Sequence, residues 1–158
     1  MKSFVFLILL LAAQWSFAQR PPYDLAAGFR TGPTTGVNLK GFFSDNSAAE
    51  GILGWRRNGL YLAGLYEFHL PLADLDGNQF FVYLGGGAHV AHREGRWSPI
   101  FEDEFRQTDV GLDGVIGLEL ALDYLPFAFS LDYKPGLNFN NPDVYWNDLG
   151  LSVRFILK

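Results

Sequence analysis

The stretch DVGLDGVIGLELALDY, residues 109–124, decides the fold, because every charge in it falls on one face. The odd positions read Asp109, Gly111, Asp113, Val115, Gly117, Glu119, Ala121 and Asp123. The even ones read Val110, Leu112, Gly114, Ile116, Leu118, Leu120, Leu122 and Tyr124. Strict period two is the signature of a strand with two unlike surroundings. A helix would scatter the four acids around its circumference, since its neighbours recur at three and four residues. At roughly 3.3 Å per residue the segment exceeds about 50 Å, longer than most strands of soluble proteins. A long ribbon, polar on one face and apolar on the other, points to a transmembrane barrel.

Composition allows this. Met1, Lys2 and Ser3 precede an apolar run from Phe4 to Ala13 and the small-residue stretch ending at Ala18. This pattern predicts a secretory signal peptide over residues 1–18, cleaved after Ala18, and a single domain over 19–158. The apolar core is shorter than the roughly 20 residues of a spanning helix. Loss of Lys2 with the leader leaves 11 basic and 17 acidic side chains, so nucleic acid is excluded as an expected partner. No cysteine is present, which removes both a disulfide framework and a lipidated cysteine. Fifteen Phe, seven Tyr and eighteen Gly suit strands and tight turns. With no long apolar helix in the mature chain, a closed sheet is the remaining way to satisfy a backbone in hydrocarbon.

The same alternation recurs to give eight candidate strands, near residues 23–30, 36–44, 49–56, 60–70, 80–92, 109–124, 127–134 and 149–157. The predicted fold is all-β, an eight-stranded antiparallel up-and-down transmembrane barrel. Turn chemistry separates the strands, including Thr31 to Thr34, Arg57-Asn58-Gly59 and Pro71 to Asn78. The run Gly85 to Gly87 inside a strand is expected to relieve crowding. With both ends on the periplasmic side, the two longest connections, 93–108 and 135–147, face outward, as membrane barrels prefer.

An eight-stranded interior is only just wide enough for side chains. The expected inward set is Arg30, Lys40, Arg56, Lys134 and Arg154 against Glu50, Glu67, Asp113, Glu119, Asp123 and Asp132. Buried charges are tolerated when paired and hydrogen-bonded, so these eleven read as a lumen charge network that plugs the barrel. Tyr23, Trp55, Tyr124, Tyr145 and Trp146 are candidates for interfacial girdles. His89 and His92 lie three apart and point to opposite faces, which argues against a shared metal. Ser130 and Asp132 sit on one strand without a nucleophile turn. The acids Glu102, Asp103 and Glu104 read as a solvated outer loop. No catalytic residue, metal site or cofactor is expected.

The segments GPTTGVNLKGFF, AAEGILGWRRNGLYLAGLYEFHLPL, FFVYLGGGAHV, GLDGVIGLEL and LGLSVRFILK together resemble the small outer-membrane β-barrel family, in the OmpA or OmpX manner. The resemblance covers about Tyr23 to Lys158. It implies a monomeric barrel in the outer membrane of a Gram-negative bacterium, with membrane lipids and the barrel assembly machinery as partners. Phe155 resembles the outward aromatic of the family's C-terminal assembly signal, although this chain continues to Lys158. The expected role is structural or interactive, through a ligand at loops 93–108 and 135–147. Three other readings compete: a soluble lipocalin-like barrel with the faces inverted, a lipid-acting enzyme using His92, Ser98 and the acidic loop Glu102 to Glu104 at one rim, and a narrow channel.

Overall fold

The computed structural model describes residues 21–57, 59–96, 104–140 and 143–157, and all regular structure among them is strand. The strands are β1 (Leu25–Thr31), β2 (Thr34–Phe42), β3 (Ser47–Arg56), β4 (Gly59–Leu75), β5 (Asn78–Arg96), β6 (Glu104–Ala121), β7 (Phe127–Tyr133), β8 (Gly136–Asn138), β9 (Asp143–Tyr145) and β10 (Leu149–Ile156). The pairing is antiparallel throughout, and β1 pairs with β10, from Ala26 opposite Ile156 to Thr31 opposite Leu151, so the sheet closes on itself.

Ten strands make eight ribbons. Strand β8 continues β7 along β6 in an unchanged register: Ile116 faces Tyr133 and Asp113 faces Gly136. Across the gap, Gly114 N donates to Pro135 O at 2.9 Å. Strand β9 leads into β10 with a one-residue change of register, since Gly136 faces Tyr145 while Tyr133 faces Leu149, and Lys134 N donates to Asp148 O at 2.8 Å across the gap. The chain is an all-β, eight-stranded antiparallel barrel.

Three expectations about connections need correction. Six residues of 135–147, Gly136–Asn138 and Asp143–Tyr145, are ladder and not loop; strands of three residues are too short for a period of two to show. The ribbon β5–β6 runs on past residue 93, pairing Arg93 with Gln107 and Arg96 with Glu104. A ribbon that has left the ring has no interior face to keep polar, so alternation lapses there while backbone pairing persists. Third, Pro71 to Leu75 extend β4 instead of turning, because β3 has ended opposite Phe68 and no ladder bond is needed from the proline nitrogen on that side. A bulge leaves Leu72 unpaired between Pro71 and Ala73. The turn itself is Asp76-Gly77, with φ of 53° and 86°, the left-handed pair that two-residue hairpins favour.

The glycine run Gly85 to Gly87 answers a close approach. A Cβ on Gly85 would run into the carbonyl of Tyr66, and one on Gly87 into the carbonyl of Gly64. Both are backbone atoms of β4, which cannot swing aside.

Burial follows the alternation all round the ring. Leu112, Ile116 and Leu118 are about half exposed, whereas Asp113 and Glu119 are buried inside. Thirty large apolar side chains are exposed among the described residues, far more than a soluble monomer's scattered surface apolars. The interior of a lipocalin-like barrel would be apolar; here it holds arginines, lysines and carboxylates. The leader 1–18, Asn58, Ser98, Glu102 and Asp103 lie outside the described residues.

Candidate functional site

The ring has a turn end, with residues 43–46, 76–77 and 122–126, and a loop end, with residues 32–33, 57 and 139–140. Because successive inward side chains stack two residues apart along each strand, the interior is built in layers. Its floor at the turn end is apolar, made by Tyr23, Ala26, Phe42, Ala48, Ala121 and Ala128. Phe42 fills this floor, which explains the apolar residue on the otherwise polar face of β2.

Above the floor lies the first charged layer, to which β2, β3, β4, β6 and β10 send Lys40, Glu50, Glu67, Glu119 and Arg154. Lys40 Nζ sits 2.7 Å from Glu67 Oε2, 3.1 Å from Glu119 Oε2 and 3.4 Å from Glu50 Oε2. Arg154 bridges the ring, with Nη2 2.9 Å from Glu50 Oε1 and Nη1 3.3 Å from Glu119 Oε2. Its Nη1 also donates to Ser130 Oγ at 2.9 Å, so Ser130 serves the ion-pair network. Asn38 Nδ2 donates to Glu50 Oε1 at 2.6 Å, and the Tyr23 hydroxyl donates to Glu119 Oε1 at 2.5 Å. His69 stacks on Tyr83 at 4.9 Å, with Lys40 Nζ 4.2 Å over the same tyrosine ring.

The second layer, toward the loop end, repeats this device. Tyr61 stacks on His89 at 5.3 Å, with Lys134 Nζ 4.6 Å over the Tyr61 ring. Asp148 gathers three cations: Arg56 at 2.8 Å, Lys134 at 3.0 Å and Arg30 at 3.5 Å. Arg30 Nη2 also donates to Asp132 Oδ1 at 2.6 Å, from β1 to the non-adjacent β7. The Tyr61 hydroxyl donates to Asp113 Oδ2 at 2.7 Å, and Tyr145 donates to the other oxygen of the same carboxylate. Arg56 lies 3.7 Å above the Tyr145 ring.

Of the eleven side chains expected in the lumen, the structure buries ten: Arg30, Lys40, Glu50, Arg56, Glu67, Asp113, Glu119, Asp132, Lys134 and Arg154. Asp123 is the exception and a correction. Strand β6 ends at Ala121, and Asp123 is exposed in the following turn beside Gly77. The alternation runs on through the sequence after the ladder has stopped. Tyr23 and Tyr145 are likewise not girdle residues; both are buried, with hydroxyls donating to interior carboxylates. Trp55, Tyr124 and Trp146 are exposed.

Sequence reasoning missed Asp109 and Asp148. Asp109 is on the charged face of β6, where the alternation could have found it; it pairs with Arg93 and accepts from Gln107 Nε2 at 2.6 Å. Asp148 lies between the three-residue β9 and β10, where the register slips by one and no continuous period marks a face. The histidines do not converge: His69 and His89 belong to different layers, and His92 bonds Thr108 Oγ1 at 2.9 Å.

No protein-family model matches the chain, and no curated protein does. Among solved structures it is similar to the N-terminal β-barrel domain of Pseudomonas aeruginosa OprF, with a TM-score of 0.63, 15% identity, and coverage of 83% of this chain and 93% of that one. At that identity the likeness is one of fold, and the fold is that of the small OmpA-like barrels.

Proposed function

We propose that this chain is an integral barrel of the outer membrane of a Gram-negative cell, exported by a signal peptide over residues 1–18 that is removed after Ala18. One observation carries the reading: the large apolar side chains face outward around the ring while the acids and bases face inward. Water is a poor solvent for such a surface, and hydrocarbon is a good one. Residues 19–158 form the barrel and act as a monomer. Membrane lipids surround it, and the barrel assembly machinery inserts it.

Its role is structural or interactive rather than catalytic. The two charged layers and the apolar floor fill the interior, so the lumen is closed to solutes, and ligands or partners are met at the loop end, around 93–108 and 135–147. The fold similarity to a barrel domain supports this architecture. The test is fractionation with N-terminal sequencing of the mature protein, then gel migration with and without heating. Recovery in the outer membrane, beginning at Gln19 and shifting on heating, is expected; recovery as a soluble periplasmic protein overturns the proposal.

A further inference from the structure

The outward apolar runs differ in height around the ring. On β4 the run goes from Leu60 to Leu70, on β5 from Phe80 to Val90 and on β6 from Val110 to Leu120, ten residue steps in each case. At roughly 3.3 Å per step and a strand tilt of about 40°, that is a height of about 25 Å, the height of the lipid-facing band in outer-membrane barrels. On β1 the run goes only from Leu25 to Phe29, because Thr31 follows at one end and Tyr23 turns into the interior floor at the other. On β2 it goes from Val37 to Phe43, between Thr35 and the exposed turn at Ser44 and Asp45, and on β3 from Ala49 to Trp55. The same arithmetic gives about 10 Å on β1 and about 15 Å on β2 and β3. These three strands are neighbours, so the band is low along one continuous face.

A second, independent observation lies on that face. A recess of about 800 Å³ opens there, with Phe29, Leu39, Leu53 and Phe155 among its walls and the small residues Ala27 and Gly51 between them. A Cβ on Gly51 would meet nothing within 4 Å. An apolar band lower than the hydrocarbon around it is matched by tilt, by self-association or by thinning of the bilayer. Tilt moves both ends of the low face the same way, so it corrects one end and worsens the other. A twofold dimer sets the same patch against itself, so recess would face recess and both would stay unfilled. Thinning answers both ends at once, and a hydrocarbon chain is the one component of a bilayer that can enter an apolar recess without burying a polar group.

We infer that the β1–β3 face is a lipid site: the bilayer beside it is held thin, and an acyl chain lies in the recess. This rests on the membrane reading proposed above, and a label on a different strand lets the two fail separately.

The test uses the mature full-length barrel refolded in dioleoylphosphatidylcholine vesicles. The chain has no cysteine, so nitroxide labels on Thr31→Cys, Ser44→Cys and Leu118→Cys are each unique. Collisions with oxygen report hydrocarbon, and collisions with a water-soluble nickel chelate report the aqueous boundary. Oxygen access at Leu118 on β6 is expected together with chelate access at both Thr31 and Ser44, the two ends of the low face. Gly51→Leu then fills the recess, with Ala27→Leu as a second filling variant and heat-dependent gel migration to verify folding. Either should lose part of the motionally restricted signal that a spin-labelled phosphatidylcholine gives beside the wild-type barrel. No hydrocarbon signature at Leu118 removes the membrane reading and this inference with it. With Leu118 in hydrocarbon, the inference alone is overturned by a chelate-inaccessible Thr31 or Ser44, by an unchanged restricted signal in the folded filling variants, or by disulfide capture of a dimer through Leu39→Cys.

Discussion

Leu118 and Val115 lie three residues apart on β6, on opposite faces: Leu118 is 51% exposed and Val115 is 7% exposed. Leu118→Arg places a charge on the outer face and should cost roughly 2 to 4 kcal/mol if that face is at mid-membrane. Val115→Thr exchanges one methyl group for a hydroxyl inside the barrel, in the cluster of Ile52, Tyr61, Ala63, Leu65 and Tyr83, and puts no charge in hydrocarbon. The folded fraction in lipid, read by heat-dependent gel migration, should collapse for the first and barely change for the second; equal fractions would contradict the assignment of faces. Glu119 is reached by Lys40, Arg154 and Tyr23. Glu119→Ala leaves two buried cations short of a partner, a loss of about 3 to 5 kcal/mol by analogy with other broken buried pairs. The urea midpoint in lipid vesicles should fall accordingly, and an unchanged midpoint would remove Glu119 from the network. Single residues were legible wherever a long strand fixed their face. Asp123 misled because a side-chain period is not a hydrogen bond, and a pattern can outlast its ladder.

At the scale of the element, β4 and β5 pass so closely that side-chain size at one position is set by backbone at another. Gly87→Ala pushes a methyl group into the Gly64 carbonyl, whereas Gly64→Ala meets nothing within 4 Å. The first should broaden the thermal transition and lower its midpoint; the second should leave it in place. If the two variants melt alike, the close approach is not a constraint. The glycine run was legible in sequence as a point of crowding. The sequence did not show which strand causes it, because register follows from closure of the whole ring. The short strands β8 and β9 were illegible for a related reason: β8 persists because β6 runs on beside it past the end of β7, and β9 because it pairs with β8, not through any pattern of their own.

For the whole molecule, the interior predicts electrical silence. With an apolar floor and two layers of paired charges in series, the wild-type barrel in planar bilayers should show no steady conductance. Asp148→Asn, which loosens the grip on Arg30, Arg56 and Lys134, should introduce brief openings at most, because the Lys40 layer remains below it. Steady currents through the wild-type protein would rule out the closed lumen. The ring, its handed alternation and most of its charged filling could be read from one chain. The tyrosine and histidine stacking could not, since it depends on which inward positions share a height.

Many interior ion pairs join strands that are not neighbours: Arg30 on β1 to Asp132 on β7, Lys40 on β2 to Glu119 on β6, Arg154 on β10 to Glu50 on β3. In the proposed outer-membrane setting, a half-rolled sheet would therefore carry these groups into oil with their counter-charges still distant. Such a species has no comfortable depth in the bilayer. Penetration and completion of the cylinder must happen together, and a chain that pauses between them is pushed back toward water.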